Sequence, residues 1–220
     1  MARAQGLRRT PFVTLTIGLL AVIASCWPAA MTALQYDRQA LLAGELWRLL
    51  SAPLVHYSAS HLGWDLLVFV AAGWAIEAAG DRRFGLLCGL TALIPGIFFL
   101  LTAEDLSYYG GLSGLATAAV CYLALRQAAT AASGRNLWWG VLILVGLKLA
   151  VEATGVQPLF ARADVLPFQV LPAAHLIGAL VALALHFRPG SVRPQGPVTL
   201  PWLASATRKA RQRRSANRWP

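Results

Sequence analysis

Long apolar runs separated by short polar ones set the pattern of this chain. A helix needs about 20 mostly apolar residues to cross the hydrocarbon core of a bilayer. Six stretches qualify, at residues 11–28, 62–79, 84–102, 111–128, 136–155 and 172–188. Pro28 closes the first, Gly80 the second and Pro189 the last. Pro95 lies inside the third; it removes a backbone donor there and is expected to kink the helix. The pattern therefore predicts an all-α membrane protein with a six-helix domain over residues 11–188. A basic N-terminal segment (1–10) precedes it, and a polar, basic, proline-containing tail (189–220) reads as disordered.

Two connections stand out. In the long one, from Met31 to Ser60, the run GELWRLLSAPLV mixes apolar and charged residues at helical spacing, which suggests an interfacial or re-entrant segment. The loop from Gly155 to Leu171 is also apolar and carries Pro158 and Pro167.

Charge fixes the expected orientation, because basic residues flanking spans mark the cytoplasmic side. With the N-terminus inside, Arg3, Arg8, Arg9, Arg82, Arg83, Arg126 and Arg135 all fall inside, with eight further basic residues from Arg188 onward. The opposite side holds Arg38, Arg48 and Arg162, and Lys148 lies within the fifth span. An N-in, C-in topology follows.

Composition agrees. The chain is 57% hydrophobic and 13% charged, with a mean hydropathy of +0.58. Those values exclude a soluble globular class. The net charge of +10 could signal nucleic acid. Beside apolar spans, the basic tail reads instead as contact with the anionic inner face of a lipid bilayer, with no nucleic-acid partner. Cys26, Cys88 and Cys121 lie in apolar runs without CxxC spacing and read as small core residues. The first apolar run follows three arginines as a signal peptide would, but an even number of spans favours a retained anchor.

Ionisable groups inside a membrane are costly, so each calls for a reason. The topology brings Ser113, His175, His56, His61 and Asp65 to the starts of spans 2, 4 and 6 and their approaches, all at one level near the outer face. Ser113, in YGGLSG, can be a small residue that lets helices pack closely. It can also be a nucleophile at a helix start, where free amides and the positive dipole end stabilise an oxyanion. It does not fit the soluble G-x-S-x-G elbow, because Leu115 stands two residues on. His175 can make a helix–helix hydrogen bond, or act as the general base for Ser113. His61 and Asp65 are four apart and share a helix face. With His56 they could ligate a metal, although HExxH is absent and the His–His spacing of five is poor. Lys148 and Glu152, also four apart, read as an intramembrane ion pair or part of an ion path.

Three motifs, in order, resemble the rhomboid family of intramembrane serine proteases. GGLSG resembles its G-x-S-G nucleophile motif. AHLIGALVALAL resembles its A-H-x-x-G-x-x-x-G helix, with Ala182 at the last glycine. WRLLSAPLVHYSASHLGWDLL resembles its W-R loop followed by H-x-x-x-x-H-x-x-x-N. The resemblance spans residues 37–187 and implies a six-helix core with a Ser113–His175 dyad, no Asp orienter, no cofactor and no metal. It assigns the oxyanion hole to His61 and the Ser113 amide, with Asp65 where the family has Asn. Asn donates through its amide, whereas ionised Asp only accepts. Thr117 stands where the family often has a larger aromatic residue or His.

The compact chain, the first loop QYDRQALLAGELWRLLSAPLVH and the LKLAVEATG segment resemble the rhombosortase branch. That branch implies a bacterial inner-membrane enzyme, its site towards the periplasm, cutting proteins that carry a C-terminal Gly-Gly-type membrane anchor. Two other readings stand beside it. One is a rhomboid protease with other transmembrane substrates, or an inactive relative that binds and sorts membrane proteins. The other is a transporter using Lys148, Glu152 and Asp65.

Overall fold

The computed structural model describes residues 10–131, 133–154 and 171–188. The N-terminal residues 1–9, the loop residues 155–170 with Pro158, Arg162 and Pro167, and the tail 189–220 lie outside the described residues.

The chain opens with α1 (Phe12–Cys26), turns by 115° at Trp27 and continues as α2 (Pro28–Leu34). Pro28 stands at the first position of α2, where its missing N–H costs nothing. Next come β1 (Tyr36–Asp37), α3 (Arg38–Leu42), α4 (Arg48–Ser51) and a 3₁₀ turn (Ala52–Leu54). The helical hairpin α5 (Ala59–Ala78) and α6 (Phe84–Thr102) follows, then β2 (Tyr108–Tyr109) and α7 (Ser113–Thr130). The described chain ends with α8 (Arg135–Ala153) and α9 (Pro172–Phe187). α6 runs through Pro95 as one element, with Pro95 buried.

Among the described residues, α5, α6 and α8 are long and apolar enough to cross a membrane, and the bent pair α1–α2 qualifies if taken together. α9 is apolar but has only 16 residues, a length of about 24 Å at 1.5 Å per residue. α7 does not qualify, and its position gives the reason. It packs against α5, α6, α8 and α9, and much of its length is buried, from Gly114 to Ala128. A helix surrounded by protein needs small residues for close packing more than it needs lipid-facing bulk. Alanine and glycine supply that in SGLATAAV, and the core closes around Leu112, Leu115, Ala118, Ala119 and Tyr122. Cys88 and Cys121 belong to this core as expected; Cys26 does not, because it ends α1 on an uncovered face and is exposed.

Polar side chains tie the helix ends. The α1 N-terminus is capped from α5: Glu77 accepts from the Val13 amide (3.0 Å), the Thr14 amide (2.8 Å) and the Thr14 hydroxyl (2.6 Å). Asp81 accepts from the Tyr122 hydroxyl (2.9 Å) and the Arg126 guanidinium (2.6 Å), fixing the α5–α6 turn to α7.

The GELWRLLS segment does the same for the α2 C-terminus. Arg48 donates through Nη1 to the Thr32 and Gln35 carbonyls at 2.8 and 3.0 Å. Trp47 Nε1 donates to Ala33 O at 3.2 Å, and Ser51 Oγ to Leu34 O at 2.7 Å. Arg48 is buried and held by Glu45 at 2.7 Å. Arg48→Ala is expected to cost about 2 kcal/mol, since it strands part-buried carbonyls that had a charged donor. A lowered melting temperature in detergent micelles, with a smaller loss for Arg48→Lys, checks this.

β1 and β2 pair antiparallel, Tyr36 opposite Tyr109 and Asp37 opposite Tyr108. The two-residue ribbon leaves the fold class all-α. It fixes the long first connection to the segment that enters α7, and Tyr36, Leu41, Ala52, Phe99, Tyr109 and Ala174 form a second cluster there.

Candidate active site

The starts of α5, α7 and α9 meet beneath this ribbon. Ser113 is the first residue of α7 and is half-buried. The turn leading into it depends on Gly111, whose φ of +127° L side chains rarely adopt. A Cβ at Gly111 would also lie 2.8 Å from His61 Cε1 and 3.0 Å from His61 Nε2. The imidazole of His61 thus rests on the backbone two residues before Ser113.

On the other side, the backbones of α7 and α9 touch. A Cβ at Gly114 would lie 3.3 Å from the Ala174 carbonyl oxygen, and a Cβ at Gly178 would lie 2.5 Å from the Gly114 carbonyl oxygen. Ser113 and His175 are the immediate neighbours of Gly114 and Ala174, so these contacts hold the two side chains at adjacent helix starts. Ala182, at the last glycine position of the resembled motif, is fully buried. The Ser113 hydroxyl is not hydrogen-bonded to His175 in this structure; such contacts commonly tighten only when substrate is bound. Thr117 is buried and donates to the Ser113 carbonyl at 2.8 Å.

His56, His61 and Asp65 form one buried cluster. A single carboxylate oxygen, Asp65 Oδ2, lies 3.3 Å from His56 Nε2 and 3.2 Å from His61 Nε2. The Leu112 amide donates to His56 Nε2 at 3.2 Å, and His56 Nδ1 lies 3.4 Å from Ser25 Oγ. One candidate ligand atom from each of the three residues lies within 4.8 Å of the others, a spacing open to a metal ion. The Leu112 amide, however, already occupies the lone pair that His56 would offer from Nε2. The arrangement favours a hydrogen-bonded cluster lying against the turn before Ser113.

Two phenols border the cluster in neutral form. Burial pushes Tyr57 up to about 12, aided by Tyr108, and it raises Tyr109 further, with Asp65 and Tyr57 adding to the effect. Both remain protonated at physiological pH.

The ion pair read in α8 is formed: Lys148 Nζ donates to Glu152 Oε1 at 2.7 Å. Spacing along the chain did not reveal its third member. Glu152 Oε2 lies 2.7 Å from His175 Nδ1, and Lys148 Nζ lies 3.1 Å from the same nitrogen. The resemblance implied no Asp orienter, and the carboxylate beside His175 belongs to a glutamate. The structure places Ser113 and His175 at abutting helix starts, His61 and Asp65 with His56, and Glu152 behind His175.

Residues 43–190 match the Rhomboid domain family. The chain belongs to the rhomboid family. Similar proteins include the rhomboid protease GlpG homolog of Cronobacter sakazakii, 31% identical over 188 residues, covering 79% of this chain and 64% of that protein. The rhomboid protease GlpG of Enterobacter sp. strain 638 is 27% identical over 167 residues, covering 76% of this chain and 53% of that protein. The chain spans less than two thirds of the length of either relative. In this rhomboid, the matched region contains Ser113, His175 and the whole His56–His61–Asp65 cluster.

Proposed function

We propose that this rhomboid is an intramembrane serine endopeptidase in which Ser113 is the nucleophile and His175 the general base. The observation that carries the proposal is the α7–α9 backbone contact at Gly114, Ala174 and Gly178, with the His61 ring seated on Gly111. It supports a nucleophile, a base and an oxyanion donor converging from three helix starts.

The chemistry follows in order. The Ser113 oxygen attacks the substrate carbonyl carbon while its proton passes to His175 Nε2. The resulting oxyanion faces the first amides of α7 and His61. The C–N bond breaks, His175 returns the proton to the leaving amine, and an acyl-enzyme remains. Water, deprotonated by His175, hydrolyses it.

In this reading α1, α5, α6, α7, α8 and α9 are the six spans, N-in and C-in. The site opens towards the periplasmic side of a bacterial inner membrane, as the loop charges indicate. Its substrates are membrane-anchored proteins whose transmembrane segments unwind locally to present the bond. The first-loop and α8 sequence likenesses support the rhombosortase branch, and hence anchors of the C-terminal Gly-Gly type.

The test is labelling of the full-length protein in detergent with a fluorophosphonate probe. Wild type is expected to label, Ser113→Ala not to, and a chelator to leave the wild-type rate unchanged. Equal labelling of Ser113→Ala would overturn the nucleophile assignment, and an unlabelled wild type would favour an inactive binding protein. Cleavage of a Gly-Gly-anchored substrate, lost in Ser113→Ala, tests the branch separately.

A further inference from the structure

His175 uses Nε2 in the proposed reaction, and its other nitrogen is engaged by a group to which that mechanism gives no role. Glu152 Oε2 lies 2.7 Å from Nδ1, with the His175 and Glu152 side chains 5% and 11% exposed. The other carboxylate oxygen takes Lys148 Nζ at 2.7 Å. We infer that Glu152 is a positioning residue for His175, accepting the Nδ1 proton so that the Nε2 lone pair faces Ser113. This rests on the reading of Ser113 and His175 as nucleophile and base.

The proton count decides between two arrangements. Nδ1 cannot donate to Glu152 and accept from Lys148 at once. Lys148 lies 3.1 Å from it, farther than the carboxylate, and already directs a proton to Glu152 Oε1. A nitrogen–carboxylate contact of 2.7 Å is at the short, charge-assisted end of hydrogen bonds. The Nδ1 proton therefore stays on the ring and points to Glu152. Were Lys148 the donor instead, Nε2 would carry the proton and could not accept one from Ser113. The arrangement has the logic of a serine–histidine–acid triad, in which the acid fixes the tautomer and stabilises the imidazolium without itself taking the proton.

Glu152 comes from α8 and His175 from α9, so the third member comes from a span that supplies neither the nucleophile nor the base. Lys148 balances the carboxylate charge and fixes its second oxygen, leaving one acceptor for the ring. Other titratable groups on the elements packed against α9 are Cys88 of α6 and Cys121, Tyr122 and Arg126 of α7. Arg126 acts electrostatically on His186, towards the other end of α9, and Arg135 begins α8 away from Glu152.

The experiment measures the fluorophosphonate labelling rate of the full-length protein. The proteins compared are wild type, Glu152→Gln, Glu152→Asp and His175→Ala, each with a melting curve. Glu152→Gln is expected to label about 100-fold more slowly, within the range that base catalysis supplies. Glu152→Asp should recover most of the rate, because a carboxylate again accepts the Nδ1 proton. A Glu152→Gln rate equal to wild type, or one reduced only by the unfolded fraction, or no recovery in a folded Glu152→Asp, would overturn the inference. Failure of the underlying reading shows differently, as wild-type labelling in His175→Ala or Ser113→Ala.

Discussion

One methyl group added at Gly178 is expected to slow Ser113 labelling about 100-fold, the scale of a misplacement near 1 Å at a reacting centre. The added Cβ would lie 2.5 Å from the Gly114 carbonyl oxygen and 3.4 Å from the Ala118 Cβ and amide nitrogen. The nearest atom belongs to the backbone of α7, so no side chain can swing aside. α9 must move away from α7, carrying His175 away from Ser113, and overpacking of this kind costs roughly 1–3 kcal/mol. Gly178→Ala should therefore lower both the labelling rate and the melting temperature. Gly140→Ala in α8 is the control, because a Cβ there meets nothing within 4 Å. That change should leave labelling intact and favour the helix by roughly 0.5–1 kcal/mol. Wild-type labelling by Gly178→Ala would show that the α7–α9 contact does not set the site.

The same contact explains why much of the site could be read from the sequence. Gly111, Gly114 and Gly178 each mark a place where backbone approaches another group, and glycine is conspicuous in an apolar helix. His61 and Asp65 were legible because a spacing of four puts two side chains on one face. Lys148 and Glu152 were legible for the same reason. The His175–Glu152 contact was not, because 23 residues separate the partners. Only the docking of α8 on α9 brings them together, and spacing carries no trace of it. Glu77 shows the same limit: 63 residues separate it from Thr14, and a lone acid near a span end gave no sign that it caps another helix.

The apolar pattern located the helices well but not their surroundings. Residues 111–128 read as a span like the others, whereas α7 is the buried centre of the bundle, where small residues replace lipid-facing ones. The first run, 11–28, divides at Trp27 into two helices, because Pro28 starts a new helix instead of merely ending the old one. The Tyr36–Tyr109 pairing was hidden, since two residues are too few to show an alternating pattern.

Asp65 carries the second large expectation. Asp65→Ala should slow labelling about 10²–10³-fold, the usual cost of disabling an oxyanion donor. Asp65→Asn should stay within about 10-fold of wild type. The reason is the single oxygen shared between His56 Nε2 and His61 Nε2. Removing the side chain releases both rings, including His61 where it rests on Gly111. An amide of the same shape keeps the contact with His61, accepting through oxygen or donating through nitrogen, and still packs against His56. His56 Nε2 already accepts from the Leu112 amide, and a neutral amide beside its filled lone pair is no less suitable than an ionised carboxylate. Two outcomes would sink this account. If Asn is as slow as Ala, the negative charge itself is required. If added divalent metal then restores only the wild-type protein after chelation, His56, His61 and Asp65 act as metal ligands, and the oxyanion must be held by the α7 amides without them.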